Sequence, residues 1–263
     1  MSAQERAYLR KLCSHRSGPS WDYVPFIVMT TARSGSSWFL DLLETHSALC
    51  VLGELFHPQV IYSARAIGED GATSRLVARR DRDPMGFLSG HVYRGYESDV
   101  KAVGFKLFYQ HVERLGATTL LNGLVERKDV RLIHLVRRNL LHVYLSSEIA
   151  KKTQTWDHRI STETVHVDVE DCLRFMEKKR AQRSRFSRLF TGHKMLDVTY
   201  ESLAKSTKSE LQRVWAFLEV PPVPFSPGRH RKQERRSLSE IVENYEELRE
   251  AVASTPYEEF LQD

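Results

Sequence analysis

The sequence predicts an α/β protein in which a central parallel sheet is covered by helices on both faces, within one domain over residues 1–263. Three observations carry that expectation. Short runs rich in β-branched and aliphatic residues recur along the chain and alternate with stretches of helical spacing, the pattern of βαβ units. The runs are nearly continuous in apolar character, which suits strands buried on both faces. At 263 residues, with no internal repeat and no linker-like stretch, the chain can close one large core.

From the N-terminus, residues 1–22 read as an extension ahead of the first strand, "VPFIVMTT" (24–31). Ser36 or Ser37 is expected to cap the helix that follows, whose Trp38, Phe39, Leu42 and Leu43 share one face toward the sheet. "ALCVLGELF" (48–56) is a second strand ending in a loop, and residues 68–98, polar and rich in Arg and Asp, read as a long, partly helical excursion over the surface. "VKAVGFKLFY" (100–109) is the third strand, with a helix after it as far as Glu126; "VRLIHLVRR" (130–138) is the fourth, followed by the helix "NLLHVYLSSEIAKKT". Residues 168–190 have the spacing of a long amphipathic helix with a basic outer face. "HKMLDVTYESL" (193–203) gives the fifth strand and a turn into the helix "STKSELQRVWAFLEV". A Pro-rich, then basic segment (221–236) precedes a last helix, "SLSEIVENYEELREAVAS".

Composition narrows the function classes. Lys and Arg number 39 against 34 Asp and Glu, a net charge of +5 that favours anionic ligands without compelling nucleic acid. Cys13, Cys50 and Cys172 are widely spaced and form no CxxC pair, which fits a reducing compartment better than a disulfide framework. No apolar core of signal-peptide length opens the chain, and no run of 18 apolar residues occurs. A cytoplasmic protein without an integral membrane segment is the expectation.

The first strand leads through "TTARSGSSW" into a helix. A strand-to-helix turn of this kind holds anions, because the first N–H groups of a helix have no internal partner and the dipole adds positive charge. Gly35 permits backbone conformations closed to bulkier residues; Ser34, Ser36 and Ser37 add hydroxyls, and Arg33 adds a fork of charged donors. A capped helix after a tight turn is the other reading of these residues. The Lys-Ser/Thr pair that would hold a nucleoside triphosphate and its magnesium is missing. The clearest other strand ends in Arg137-Arg138, which disfavours a metal beside it.

A second basic station lies in "LVRRNLLHVYLSSE" (135–148). Arg138 and Ser146 are slightly over two helical turns apart and can share a face, so together they can grip a second phosphate. Alternatively, Arg138 pairs with a surface carboxylate and Ser146 only packs. Two anion stations at the C-terminal ends of strands of one sheet suit a ligand with two separated phosphates.

These two segments resemble the 5′-phosphosulfate loop and the 3′-phosphate segment of sulfotransferases, most closely the bacterial carbohydrate branch of trehalose and nodulation-factor type. "LGELFHP" (52–58), "GFKL" (104–107), "LDVTYESL" (196–203) and "RKQERRSLSEIVENYEEL" (231–248) follow in the order seen in that branch. The resemblance implies a three-layer, P-loop-like fold and transfer of a sulfuryl group from 3′-phosphoadenosine 5′-phosphosulfate (PAPS), without a metal. It implies that Arg33, Ser34, Gly35, Ser36 and Ser37, with Trp38 directly after them, hold the 5′-phosphosulfate. Arg138 and Ser146 would hold the 3′-phosphate, and the 221–236 segment would close over the nucleotide through Lys232 and Gln233. It also allows a homodimer.

Sulfuryl transfer needs stabilisation of charge on the leaving oxygens and a base for the acceptor proton. Arg33 and the loop suit the first need. Glu54, after Gly53 at the end of the second strand, is the first candidate for the base, with partial burial expected to raise its pKa. A Glu that orders the loop or binds a sugar hydroxyl is the alternative. His57 is the second candidate base, whereas His46 and His134 are expected to pack. Lys106, among apolar residues, must find an anion or an exit to water. It either neutralises the sulfonate or leaving group or pairs with Glu54. A P-loop kinase and a nucleic-acid-binding module are rival readings. The acceptor is a carbohydrate, a glycolipid or a small metabolite; residues 59–100 and 151–170 are expected to shape its pocket, with Tyr93, Trp156 and His158 as candidate stacking or packing residues.

Overall fold

The computed structural model describes residues 22–62, 74–114, 119–155, 162–226 and 236–262. Five parallel strands form one sheet in the order β2-β3-β1-β4-β5. They are β1 (Val24–Thr30), β2 (Leu49–Glu54), β3 (Ala102–Phe108), β4 (Arg131–Val136) and β5 (Met195–Thr199). Each lies within a run that the sequence marks as a strand. Parallel neighbours need a crossover, and the helices supply it: α1 (Ser36–Glu44) between β1 and β2, α2 (Ser74–Arg82) and the short α3 (Pro84–Phe87) before β3, α4 (Tyr109–Arg114) and α5 (Thr119–Glu126) before β4. Then come α6 (Leu140–Thr153), the long α7 (Val169–Leu189), α8 (Tyr200–Lys205) and α9 (Thr207–Phe217), and finally α10 (Leu238–Ile241) and α11 (Tyr245–Val252).

The near-continuous apolar strands are explained by cores on both faces. On β1, Phe26 and Val28 join Phe39, Leu42, Leu43, Leu211 and Trp215 on one side. Ile27 and Met29 join Phe87, Leu121, Leu124 and Phe186 on the other. Alternate residues therefore enter opposite cores, as the pleat requires. A third cluster joins α6 and α7 to the C-terminal helices through Leu141, Met176, Leu248 and Phe260.

The structure corrects the surface excursion expected over residues 68–98. Among its described residues, Leu76, Phe87, Leu88, Val92 and Tyr93 are core, and Arg80 is fully buried. The polar composition misled because Arg80 works inside the protein: its Nη1 donates to the carbonyls of Leu55 (2.7 Å) and His57 (2.9 Å), and its guanidinium lies over the Phe56 ring. It thus fixes the loop that follows β2. Tyr93, whose hydroxyl donates to Phe26 O, is a packing residue.

The last helix is also shorter than its pattern. It breaks into α10 and α11 because Val165 takes the backbone between them. Val165 N–H donates to Ile241 O, Glu243 N–H donates to Val165 O, and the Asn244 amide bonds both backbone groups of Val167. A bridge partner 77 residues away overrides local helical spacing.

Replacing Arg80 by Met keeps the volume and leaves the carbonyls of Leu55 and His57 without this donor. Arg80→Met is expected to lower unfolding free energy by about 2–4 kcal/mol. A urea titration checks this, the midpoint falling without a change in slope.

Candidate active site

In a parallel sheet every strand delivers its C-terminal end to the same edge, where ligands of such sheets bind. The order β2-β3-β1-β4-β5 therefore lines up Glu54, Lys106, the loop after β1 and the Arg137-Arg138 pair. Lys106 is in register with Glu54 on one side and Val28 on the other, so its strand separates the carboxylate from the loop-bearing strand.

The loop is built from its own side chains. The Thr30 and Ser34 hydroxyls lie 2.6 Å apart and bond in turn to the carbonyls of Leu135 and Thr31. Ser34 is buried and its hydroxyl bonds within the loop, while the Thr30 hydroxyl carries the tie to Leu135 of β4. Two residues adopt left-handed backbone, Arg33 at φ 64° and Gly35 at φ 82°. For arginine that conformation is uncommon and is held by the surrounding contacts. Gly35, and not Ser36 or Ser37, occupies the cap position of α1, and no side chain caps the helix. The expected serine cap is thereby corrected: Ser36 already lies in the first turn. A Cβ on Gly35 would stand 2.5 Å from the Tyr200 ring, so both φ and space demand glycine there.

Tyr200, the first residue beyond β5, is a site residue that sequence reasoning missed. Trp38 packs edge-on against it with ring centres 6.0 Å apart, within the α1-side core. The Arg137 guanidinium lies 4.6 Å from its ring centre, with Nη1 3.4 Å from Arg33 O. The usable signal was position, since Tyr200 leaves its strand at the same sheet edge as the loop.

The second station is differently arranged from the expectation. Ser146 meets the first loop: Arg33 Nε donates to its hydroxyl at 2.8 Å. Arg138 keeps 65% of its side chain exposed and stands 3.8 Å from Glu201 Oε2. Glu201 Oε1 accepts from the backbone N–H groups of Arg138 and Asn139, and Asn139 caps α6 through His142 N–H. Pairing with a carboxylate, the alternative reading of Arg138, is what the structure contains. Beside this station a cavity of about 340 Å³ opens between Thr31, Arg137, Arg138 and the α7 residues Lys179, Arg180 and Arg183, a strongly cationic wall. Among the described residues its lining draws on the ends of β1 and β4, on α7 and on the C-terminal segment.

Glu54 is held by two partners. Lys106 Nζ is 3.2 Å from Oε2 and His111 Nε2 is 3.2 Å from Oε1, and only 11% of the Glu54 side chain is exposed. Burial alone pushes the carboxyl up, but the His111 hydrogen bond and the Lys106 charge outweigh it and hold the group below its ordinary value. The expected upward shift is thus overturned. Burial pulls Lys106 down, against the attraction of Glu54. Of the two alternatives for Lys106, the pairing with Glu54 is present. His57 is half-buried and lies 6.4 Å ring to ring from His111, with Nδ1 accepting from Gln59 N–H. His111, on the first turn of α4, was missed by the sequence reading; three residues beyond the strand end is the one cue for it. His46 and His134 pack as expected, bonded to Pro221 O and to Asp197 and Tyr109. Lys232, Gln233, Trp156 and His158 lie outside the described residues.

The family model described as "Sulfotransferase domain" matches residues 24–250. Nodulation protein H of Rhizobium tropici is 26% identical over 244 residues, covering 90% of this chain and 93% of that protein. Nodulation protein H of Rhizobium meliloti is 22% identical over 248 residues, covering 90% and 95%. A crystal structure of a sulfotransferase from Alicyclobacillus acidocaldarius matches with a TM-score of 0.51 at 12% identity, covering 90% of this chain and 94% of that one, a likeness of fold.

Gly35→Ala forces a Cβ into the Tyr200 ring at an unfavourable φ. We expect it to destabilise the protein by about 1–3 kcal/mol. Differential scanning calorimetry reads the effect, and an unchanged melting temperature would contradict the geometry assigned to the loop.

Proposed function

Since the chain belongs to the sulfotransferase family and is an enzyme of that class, we propose that it moves the sulfuryl group of PAPS to a hydroxyl of a carbohydrate, glycolipid or small metabolite. The observation that carries this reading is the position of Glu54, buried between Lys106 and His111 two strands from the anion loop. The uncapped first turn of α1 and Arg33 hold the 5′-phosphosulfate, with Ser36, Ser37 and Trp38 at its margin; Ser34 and Gly35 act by shaping the loop. Arg138 and Ser146 take the 3′-phosphate, with the 221–236 segment, including Lys232 and Gln233, closing over the nucleotide. The cationic cavity beside Arg138 supports an anionic ligand at this end of the sheet.

The donor supplies an activated sulfuryl group, and the chain supplies donors for the leaving oxygens and a base. A carboxylate held below its usual range is a weak base. It suffices where the acceptor hydroxyl becomes acidic as its oxygen bonds to sulfur, so that proton transfer comes late. Glu54 is fully ionised at neutral pH and ready for that step. His57 stands near enough to line the acceptor side. Lys106, one strand from each partner, is suited to neutralise sulfonate charge.

The family assignment replaces the kinase and nucleic-acid readings. Among the described residues no helix is long and apolar enough to cross a membrane. A cytoplasmic location, a single catalytic domain over the whole chain and assembly as a homodimer belong to the same proposal. The resemblance to the bacterial carbohydrate branch favours a carbohydrate or glycolipid hydroxyl over a small metabolite.

Incubation with labelled PAPS and an extract of the source cell, followed by mass spectrometry of sulfated products, tests the activity. In that assay Glu54→Gln is expected to lower turnover by about 100-fold or more, with nucleotide affinity nearly intact. Turnover like that of the wild type would remove Glu54 from the base role. Arg138→Ala is expected to weaken binding of 3′-phosphoadenosine 5′-phosphate about tenfold relative to adenosine 5′-phosphate, by loss of a charged hydrogen bond. Calorimetric titration that finds the discrimination unchanged would sink the second station.

A further inference from the structure

We infer that His111 is the positioning residue of the base: its Nε2–H fixes Glu54 Oε1, so that the carboxylate turns one set face to the acceptor hydroxyl. The inference rests on the reading of Glu54 as the base and adds a residue that the family resemblance does not name.

The ring has little freedom. His111 sits on the first turn of α4 directly after β3 and is 3% exposed. Its ring packs against that of Phe108, 5.1 Å away, and meets that of His57 edge-on at 6.4 Å. Packing therefore fixes the direction in which Nε2 points.

The hydrogen is placed by elimination. His111 Nδ1 is buried and has no hydrogen-bond partner among the described residues. A hydrogen on Nδ1 alone would orphan a buried N–H and set the Nε2 lone pair against a carboxylate oxygen 3.2 Å away. With the hydrogen on Nε2, Glu54 gains a donor and no N–H is orphaned.

Lys106 cannot do this work by itself. An ammonium on a flexible stem is a point charge with rotatable donors, so it attracts the carboxylate without setting its angle. With Lys106 on Oε2 and His111 on Oε1 the carboxylate cannot spin about its own axis. Two of its four lone-pair sites are engaged and the others remain for a proton in flight. Lys106 and His111 are the groups that act on the Glu54 charge, one from β3 and one from α4. Losing His111 removes the first of the two influences that lower it.

Two variants separate positioning from packing. His111→Phe keeps a ring against Phe108 and His57 and removes the donor; His111→Gln offers an amide N–H to the same oxygen. The carboxyl titration of Glu54 is followed by carbon-13 NMR of glutamate-labelled protein, its signal identified by its loss in Glu54→Gln. In His111→Phe we expect the titration to move to higher pH. Label transfer from PAPS to source-cell extract should fall about 10- to 100-fold, with affinity for 3′-phosphoadenosine 5′-phosphate unchanged. His111→Gln should restore most of both. An unmoved titration in His111→Phe overturns the inference, as does a folded His111→Gln that transfers no faster than His111→Phe. If His111→Phe does not fold, His111→Gln decides alone: near-native titration and rate support the role, and loss of both overturns it. Failure of the base reading is told apart because Glu54→Gln would then retain turnover whatever the His111 variants do.

Discussion

A carboxylate taken almost out of water must be met by donors, and the meeting of Glu54 with Lys106 and His111 is the constraint around which this site is arranged. Each partner comes from the strand or helix that the sheet order sets beside it. Lys106 is opposite Glu54 in the β2–β3 register, and His111 lies in the first turn of the helix that β3 runs into. The same register sets Val28 on the other side of Lys106, two residues before the end of the strand that leads into the Arg33–Gly35 loop. Burial, pairing and proximity to the loop are thus one geometric fact.

Around that centre the chain spends buried polar groups on rigidity. Ser34 and Thr30 tie the loop to β4. Arg80 gathers the carbonyls that follow Glu54, so the loop from Leu55 to His57 is held beside that carboxylate. Tyr200 closes Gly35 from above and takes the Arg137 guanidinium on its face. Arg33 crosses to Ser146 and so links the loop after β1 to the helix after β4. Hydrogen bonds of this kind, inside low-dielectric surroundings, resist rearrangement more than surface contacts do.

The fold class was legible because it depends on short-range pattern. Continuous apolar runs and the helices between them report two-sided burial, and all five strands fall inside those runs. The need for glycine at residue 35 was also legible, since only the turn itself was at issue. What could not be read were properties set by distant partners. The direction of the Glu54 shift depends on Lys106 and His111, more than 50 residues away, and local reasoning saw burial alone. Arg80 looked like surface because its acceptors are backbone carbonyls that have no signature in sequence. The break between α10 and α11 comes from Val165 in the same way. Arg138 and Ser146 share a helical spacing, yet Ser146 meets Arg33 while Arg138 leans to Glu201. Spacing shows which residues can share a face and leaves open which neighbour each one meets.

The central claim is that one edge of this sheet binds both ends of the donor and sets Glu54 opposite its sulfuryl group. A crystal structure with 3′-phosphoadenosine 5′-phosphate tests it most directly. The 5′-phosphate is expected on the backbone N–H groups of the 35–37 turn with Arg33, the 3′-phosphate at Arg138 and Ser146, and Glu54 facing the vacant side of the 5′-phosphate. A nucleotide bound away from this edge, or in the reverse orientation along it, would contradict the account.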